Sequence, residues 1–201
     1  MGGVSGKRSV KRRPAGSDAG PRRAGPTAVS GPRGRPAHAV EPGRPVGCAV
    51  ITVSDTRRGA RDLSGNRIQE LLERAGHDVI TRAWVRDQVA AIRRAARAAL
   101  GRADVDVVIA TGGTGVSPRD RTPEALAPLA AQWLPGFGER FRAHSESQVG
   151  SAAWLSRAAA FVARGRLVVL LPGSTPAVEL ALTRLLLPEL GHVTRLIGRR
   201  T

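Results

Sequence analysis

Short apolar runs alternate with helical segments along most of this chain, and this alternation limits the fold more than any other feature. Each run is apolar throughout, as in a strand that is covered on both faces. Strands that alternate with helices form parallel sheets with crossover helices. The sequence therefore predicts an α/β fold of three layers, with helices on both faces of a mostly parallel sheet. The four predicted strands are residues 46–53, 79–85, 105–110 and 167–171.

The segments between these runs have recognisable helix signals. The helix after the first run ends just before Gly76, which suits the position that follows a helix. Asp87 is placed to cap the next helix. Thr-Pro pairs, in which the threonine caps the helix and the proline opens it, predict two further helix starts at Thr122 and Thr175. The helix from Thr175 is expected to end near residue 187, and we interpret residues 136–163 as helical but irregular.

The first 45 residues differ from the rest of the chain. They hold seven of the 14 prolines and nine of the 24 glycines, and they have no aromatic residue. Ten Lys or Arg residues against two acidic residues give this segment a net charge of +8, half of the +16 of the chain. Such a segment buries too little apolar surface to offset the entropy cost of ordering. We predict a disordered basic tail over residues 1–45 and a folded domain over residues 46–201.

Cysteine content and hydropathy exclude other classes of protein. Cys48 is the single cysteine, so neither a disulfide within the chain nor a cysteine-rich metal site can form. It lies in an apolar run, where we expect a buried and inert thiol. No apolar stretch of the sequence reaches the length of a membrane-spanning helix. We expect a cytoplasmic location.

Polar and glycine residues follow each predicted strand, where parallel sheets bind their ligands. The loop Thr111-Gly112-Gly113-Thr114-Gly115, here called the glycine loop, is the most informative of these segments. Its glycines permit positive φ and a close approach of the backbone to a phosphate, and its threonines add hydroxyl groups. The remaining candidate residues in such loops are Ser54, Asp55, Asp87, Asp120, Pro172, Gly173 and Ser174.

Asp87 and Asp120 come after successive strands. Carboxylates beside a phosphate site are ligands that Mg²⁺ prefers. Taken singly, each has a structural alternative, with Asp87 as a helix cap and Asp120 as the partner of Arg119 or Arg121. Beside the glycine loop, a role for both in catalysis with Mg²⁺ gains support.

The glycine loop and the segments 118–120 and 122–125 (PRD and TPEA) together resemble the signature of the MoaB/MogA family of molybdenum cofactor biosynthesis. Further matches follow in the order expected of that family over residues 46–197. They include Asp62-x-Ser64-Gly65, Leu155-Ser156-Arg157-Ala158 and Leu171-Pro172-Gly173-Ser174. The compact C-terminal end resembles MoaB more than MogA.

This resemblance implies the adenylylation of molybdopterin by ATP and Mg²⁺, with release of pyrophosphate. It implies that Asp87 and Asp120 are catalytic and hold Mg²⁺, and that the glycine loop binds phosphate. It further implies a homotrimer or homohexamer and a partner enzyme that inserts molybdate. The other substrate-binding positions that it implies are Arg142, Ser145, Ser156 and Arg157.

Two departures from the family pattern keep other hypotheses open. Arg86 stands where the family usually has proline, and Phe161 stands where it has glycine, with added bulk expected near the cleft. The second hypothesis is therefore a non-catalytic paralogue that binds molybdopterin as a carrier or assembly partner. The third is a nucleic-acid-associated protein, which is disfavoured because the basic tail lacks aromatic residues for base stacking.

Overall fold

The computed structural model describes residues 44–198. The predicted tail lies outside the described residues, apart from Arg44 and Pro45. Short 3₁₀ segments span Gly59–Arg61, Ala127–Leu129 and Gly150–Leu155, and a π-helical turn spans Leu182–Leu186. The other elements in chain order are β1 (Gly47–Val53), α1 (Leu63–Arg74), β2 (Asp78–Val85), α2 (Val89–Gly101), β3 (Val107–Thr111), α3 (Thr122–Leu126), β4 (Gln132–Trp133), α4 (Pro135–Val149), β5 (Ala159–Ala163), β6 (Arg166–Leu171), α5 (Thr175–Ala181) and α6 (Leu190–Ile197).

The six strands form one sheet in the order β2-β1-β3-β6-β5-β4. β1 pairs in parallel with β2 and β3, and β3 pairs in parallel with β6. β5 and β4 complete the sheet as antiparallel strands. From β1 the chain moves to one side for β2 and to the other side for β3, and such a switch opens a cleft in α/β sheets. The predicted, mostly parallel α/β sheet is confirmed.

Alternate residues of the strands face two separate hydrophobic cores. Cys48 and Val50 of β1 belong to the core that is shared with α1, α4, α5 and α6. Ala49 and Ile51 of the same strand belong to the core that is shared with α2 and α3. Helices therefore cover both faces of the sheet, which confirms the three-layer architecture.

Most of the predicted helix ends are confirmed. Gly76 follows α1 with a φ of +79°, as a residue after a helix end often does. α3 and α5 begin at Thr122 and Thr175. The prediction that these threonines cap their helices is wrong, because neither helix has a side-chain cap. The Thr122 hydroxyl instead donates to the Gly112 carbonyl oxygen at 2.7 Å and so ties α3 to the glycine loop.

The interpretation of residues 136–163 as helical is wrong over its last part. α4 and the 3₁₀ segment that follows it account for most of the range, but residues 159–163 form β5. β4 and α6 were not predicted. Alanine, the strongest helix former, makes up much of β5, so its composition favours a helix until the pairing with β6 is known.

Phe161 lies in the core that is shared with α2 and α3 and is fully buried. Its ring packs against that of Trp133, with the ring centroids 5.1 Å apart. It does not line the cleft described below. The expectation that Phe161 adds bulk near the cleft is therefore wrong, because its strand directs the side chain into the core.

Cys48 is a free cysteine buried in β1, and its burial was expected. Burial, with smaller contributions from the charges of Asp106 and Asp78, raises the pKa of the Cys48 thiol to about 12. The reactive thiolate is therefore scarce at neutral pH. Every helix within residues 44–198 is too short or too polar to cross a bilayer.

The position of Phe161 predicts a large effect on stability. Phe161→Ala should lower the free energy of unfolding by about 3–5 kcal/mol, because it opens a cavity in the core beside Trp133. Phe161→Leu, which keeps much of the volume, should cost less than about 2 kcal/mol. Urea unfolding followed by circular dichroism measures both variants. A loss below about 1 kcal/mol for Phe161→Ala would contradict the placement of this ring.

Candidate functional site

A cleft of about 590 Å³ opens at the carboxyl ends of β1, β3 and β6, at the switch point of the sheet. We call it the aspartate cleft. All four predicted loops meet there, at the edge of the sheet where the parallel strands end. Of the predicted site residues, those that line it are Ser54, Asp55, Asp87, Thr111, Gly112, Gly113, Thr114, Gly115, Asp120, Pro172, Gly173 and Ser174.

The glycine loop has the conformation that its sequence predicts. Gly112 and Gly113 have φ values of +101° and +63°, in the left-handed region that favours glycine. Side-chain hydrogen bonds tie this loop to its neighbours. Thr111 donates its hydroxyl to the carbonyl oxygen of Pro172 at 2.9 Å, so this hydroxyl joins two loops of the cleft. Thr114 is also buried.

Asp87 and Asp120 hold the segment that follows the glycine loop. The Asp87 carboxylate accepts a hydrogen bond from the backbone N–H of Arg121 at 3.0 Å, and that of Asp120 accepts one from Ser117 at 3.1 Å. Asp87 does not cap α2, which has no side-chain cap. The structural alternatives, a helix cap for Asp87 and an ion pair with Arg119 or Arg121 for Asp120, are therefore wrong. Arg119 pairs with Asp55 at 3.0 Å, rather than with Asp120.

Both carboxylates lie directly against the glycine loop. A Cβ atom on Gly113 would lie 2.5 Å from Oδ2 of Asp87, and a Cβ atom on Gly115 would lie 2.7 Å from Oδ2 of Asp120. Carbon and oxygen atoms cannot approach so closely without a shift. The absence of side chains at these two positions therefore allows the carboxylates to reach the loop.

The prediction missed two arginines of the cleft, Arg57 and Arg119. Arg57 donates to the Gly173 carbonyl oxygen at 3.3 Å, and Arg119 forms the ion pair with Asp55. Arg119 follows the glycine loop closely in sequence, which was a usable signal. Arg57 lies in an arginine-rich segment without a distinguishing pattern. The other lining residues outside the prediction are Thr52, Val53, Thr56, Ser64 and Ser117.

A buried carboxylate supports the wall of the cleft. Asp62 is fully buried and caps α1 by accepting the N–H of Gly65 at 2.9 Å. It also accepts the hydroxyl of Thr52 at 2.7 Å and the indole N–H of Trp84 at 2.9 Å. The guanidinium of Arg82 pairs with it at 2.7 Å and lies over the Trp84 ring at 4.9 Å from its centroid. Asp62 thus joins β1, β2 and α1 behind the site.

Four residues that the resemblance placed at the substrate site do not line the cleft. Ser145 is buried in α4 and donates its hydroxyl to the Phe141 carbonyl oxygen at 2.8 Å. Arg142 donates to the Ser156 carbonyl oxygen, at 3.4 Å. Arg157 donates to the carbonyl oxygens of Gly115 and Asp120 at 2.8 and 2.9 Å and pairs with Glu124. Their contacts are therefore to the protein itself, and Arg157 braces the glycine loop from outside.

The environment of the cleft shifts the pKa of Asp87. Burial raises the pKa of Asp87, and the negative charges of Asp120, Asp55 and Glu124 raise it further. The hydrogen bond from the Arg121 N–H acts in the opposite direction. A bound cation would relieve this repulsion. Within residues 44–198, no group of three or more His, Cys, Asp or Glu side chains is arranged to hold a metal ion.

The fold and the cleft define a class of protein: an α/β domain that presents a glycine loop and carboxylates at the switch point of its sheet. The sequence model of one family, described as "Probable molybdopterin binding domain", matches residues 49–192. The chain belongs to this family, and its relatives place it in molybdenum cofactor biosynthesis.

Two relatives carry the name molybdenum cofactor biosynthesis protein B. The protein of Halalkalibacterium halodurans is 46% identical over 79% of this chain and 94% of its own length. The protein of Escherichia coli is 40% identical over 75% of this chain and 89% of its own length.

Solved structures agree with these relatives. A crystal structure of a molybdenum cofactor biosynthesis protein B has a TM-score of 0.76 at 42% identity and covers 78% of this chain and 98% of its own. A tungsten cofactor synthesizing protein MoaB from Pyrococcus furiosus has a TM-score of 0.66 at 35% identity, covering 77% of this chain and 98% of its own. A MogA structure has a TM-score of 0.67 at 30% identity and covers 76% of this chain and 99% of its own. The resemblance to the MoaB/MogA family is confirmed.

The close contact at Gly113 predicts that alanine is not tolerated there. Gly113→Ala should lower the free energy of unfolding by about 1–3 kcal/mol, because a side chain strains a residue at positive φ and collides with Asp87. Gly101→Ala is the matched control, since a Cβ at that position meets no atom within 4 Å. Urea unfolding should show little change for this control. Equal losses in the two variants would contradict the contact.

The raised pKa of Asp87 predicts a pH-dependent effect on stability. Because the folded state binds this proton more tightly than the unfolded state, Asp87 favours folding at acidic pH, and the contribution is lost as pH rises through the raised pKa. Asp87→Asn removes this loss. The free energy of unfolding of Asp87→Asn, relative to the unsubstituted protein, should therefore rise as pH increases above the ordinary pKa of an aspartate, about 4. Urea titrations across this range measure the difference, and a falling difference would contradict the prediction.

Proposed function

We propose that this protein transfers the adenylyl group of ATP to the phosphate of molybdopterin and releases pyrophosphate. The observation that carries the proposal is the glycine loop with Asp87 and Asp120 lying against it in an open cleft. A phosphate oxygen of molybdopterin attacks the α-phosphorus of ATP and forms a new P–O bond. The bond from the α-phosphorus to the bridging oxygen breaks, and its electron pair leaves with pyrophosphate. Such a transfer depends on positioning and charge stabilisation, so it requires no nucleophilic side chain.

The donor atoms of the cleft suit Mg²⁺. Oδ2 of Asp87 and Oδ1 of Asp120 accept no hydrogen bond from any described residue. Burial, and after it repulsion from the other carboxylates, raises the pKa of Asp87. Mg²⁺ takes oxygen ligands and is often held by only one or two carboxylates together with substrate phosphates. Asp87 and Asp120 would hold it in this way. When bound, it would neutralise charge on the phosphates.

The remaining groups of the cleft position the two anionic substrates. The backbone N–H groups of Gly113, Thr114 and Gly115 donate to no described residue and are available to phosphate oxygens, as in other anion-binding loops. The N–H of Gly112 is engaged, because it donates to the Leu171 carbonyl oxygen at 2.9 Å. Arg57 and Arg119 add guanidinium groups, which match phosphate geometry. Asp62 acts from behind, because it fixes the hydroxyl of Thr52 in the wall of the cleft.

The non-catalytic paralogue is the second candidate. Of its two supporting departures, Phe161 has its side chain in the core. Arg86 directly precedes Asp87, but it is exposed and does not line the cleft. This location favours the enzyme over the carrier. We further propose a cytoplasmic homo-oligomer, trimeric or hexameric, which acts before an enzyme that inserts molybdate.

The two aspartates predict the decisive test. Asp87→Asn and Asp120→Asn should each lower the rate of adenylyl transfer by about 10²-fold or more, because a charge that stabilises the transition state is lost. Their melting temperatures should not fall, since an amide oxygen can still accept the N–H of Arg121 or Ser117, and Asp87→Asn also removes the charge that burial and neighbouring carboxylates disfavour. The assay incubates protein, molybdopterin, ATP and Mg²⁺ and measures adenylylated product by mass spectrometry.

Asp104→Asn is the matched control for charge, because Asp104 is exposed, pairs with Arg102 and lies outside the cleft. It should retain the rate of the unsubstituted protein. Wild-type rates in folded Asp87→Asn and Asp120→Asn would contradict the catalytic assignment. If the unsubstituted protein binds molybdopterin but forms no product, the carrier hypothesis replaces the enzyme.

A further inference from the structure

A second cavity, also of about 590 Å³, lies at the opposite end of the sheet from the aspartate cleft. It is bordered by the amino ends of β1 and β3, the turn between β5 and β6, and the end of α6. Because β1, β3 and β6 are parallel, all three strands start beside this cavity and end at the aspartate cleft. The two cavities therefore have no lining residue in common.

Four arginines line this cavity, which we call the arginine cavity. They are Arg44, Arg164, Arg166 and Arg195, and Asp106 is the one carboxylate among the described lining residues. Asp106 is already engaged, because it pairs with Arg44 at 3.0 Å and accepts the N–H of Gly47 at 3.1 Å. Three guanidinium charges are thus left without a carboxylate in the lining.

Arg166 is a fixed positive charge. Its guanidinium donates to the carbonyl oxygens of Arg102 at 2.6 Å, Val105 at 2.7 Å and Arg164 at 3.1 Å. These carbonyl groups fix the position of the guanidinium, but they are neutral and leave its charge uncancelled. The carbonyl end of α6 also borders the cavity, and a helix end carries only about half a negative charge.

Arg164 and Arg195 complete the lining from different elements. Arg164 has a φ of +50° and forms the tight turn between β5 and β6 with Gly165, whose φ is +68°. Arg195 lies in the last turn of α6. Neither guanidinium forms a hydrogen bond or ion pair with another residue of the range 44–198. Both side chains are exposed and therefore accessible to a ligand.

The arginine-rich composition of the chain does not explain this excess. The aspartate cleft has three carboxylates against two arginines, and a shallow cavity along α1 has Glu70 and Glu73 against Arg74. We propose that the arginine cavity is an anion site for a small molecule with a diphosphate or triphosphate group. Its volume lies within the range of about 300–1,000 Å³ that is typical of ligand sites. The guanidinium fork matches phosphate oxygens.

The test uses the full chain and inorganic pyrophosphate as the probe. Isothermal titration calorimetry in EDTA, without Mg²⁺, disfavours binding in the aspartate cleft, where three carboxylates would repel the anion. Arg164→Ala/Arg195→Ala should weaken pyrophosphate binding about tenfold or more, because two charge-assisted contacts are lost. Arg94→Ala/Arg97→Ala is the matched control, since these exposed arginines of α2 lie outside both cavities and the double variant loses the same charge.

The control should change the dissociation constant by less than about twofold at 0.15 M salt, where distant charges are screened. Equal weakening in both double variants would show a general charge effect and overturn the site. Unchanged binding in Arg164→Ala/Arg195→Ala, or no binding by the unsubstituted protein, would also overturn it. If the double variant fails to fold, Arg195→Gln alone gives the same comparison. Pyrophosphate is also the product of the proposed adenylyl transfer, but Arg164 and Arg195 lie outside the aspartate cleft. A loss of binding confined to Arg164→Ala/Arg195→Ala therefore reports on the arginine cavity, whether or not the adenylyl transfer occurs.

Discussion

The close approach of two carboxylates to a loop without side chains is the constraint on which this site depends. Gly113 and Gly115 leave space that Asp87 and Asp120 occupy, and each carboxylate then binds the backbone beyond the loop. The cost of this arrangement is visible in the raised pKa of Asp87, because burial and like charges disfavour its ionised form. Binding of a cation would offset that cost, so the negative charge of the free site favours a cationic ligand.

A buried polar network supports the cleft from the side of β1. Removing one partner from such a network leaves a charge or a donor without compensation, which is expensive in a protein interior. The buried charge of Asp62 is compensated, because its carboxylate accepts hydrogen bonds from donors on three elements. The network therefore fixes where β1 ends and α1 begins, and the loop between them carries Ser54 and Asp55 into the cleft. The positions of Ser54 and Asp55 in the cleft therefore depend on contacts along the whole edge of the sheet.

Local patterns in the sequence predicted the parallel part of the fold and the edge that carries the site. Continuous apolar runs identify buried strands, and the glycine loop identifies a close backbone approach. The sequence did not reveal β4 and β5, because a two-residue strand has no periodicity and an alanine-rich strand resembles a helix. It did not show that Arg142, Ser145, Ser156 and Arg157 lie outside the cleft, since motif order does not tell which way a side chain points. The environment of Phe161 was misjudged for a related reason: the direction of a side chain depends on strand pairing between distant segments.

The order of strands in the sheet has a consequence for how the chain folds during synthesis. β1 can pair with β3, and β3 with β6, only after the later strand of each pair has been synthesised. Each pairing joins residues about sixty positions apart. Contacts at such separations form slowly, because the entropy of a long loop is lost before the contact is made. Only the β5–β6 hairpin is local, and it is among the last parts of the chain to be made. A nascent chain that ends before residue 166 therefore has one apolar edge of β3 unpaired, and an unpaired edge of this kind favours aggregation.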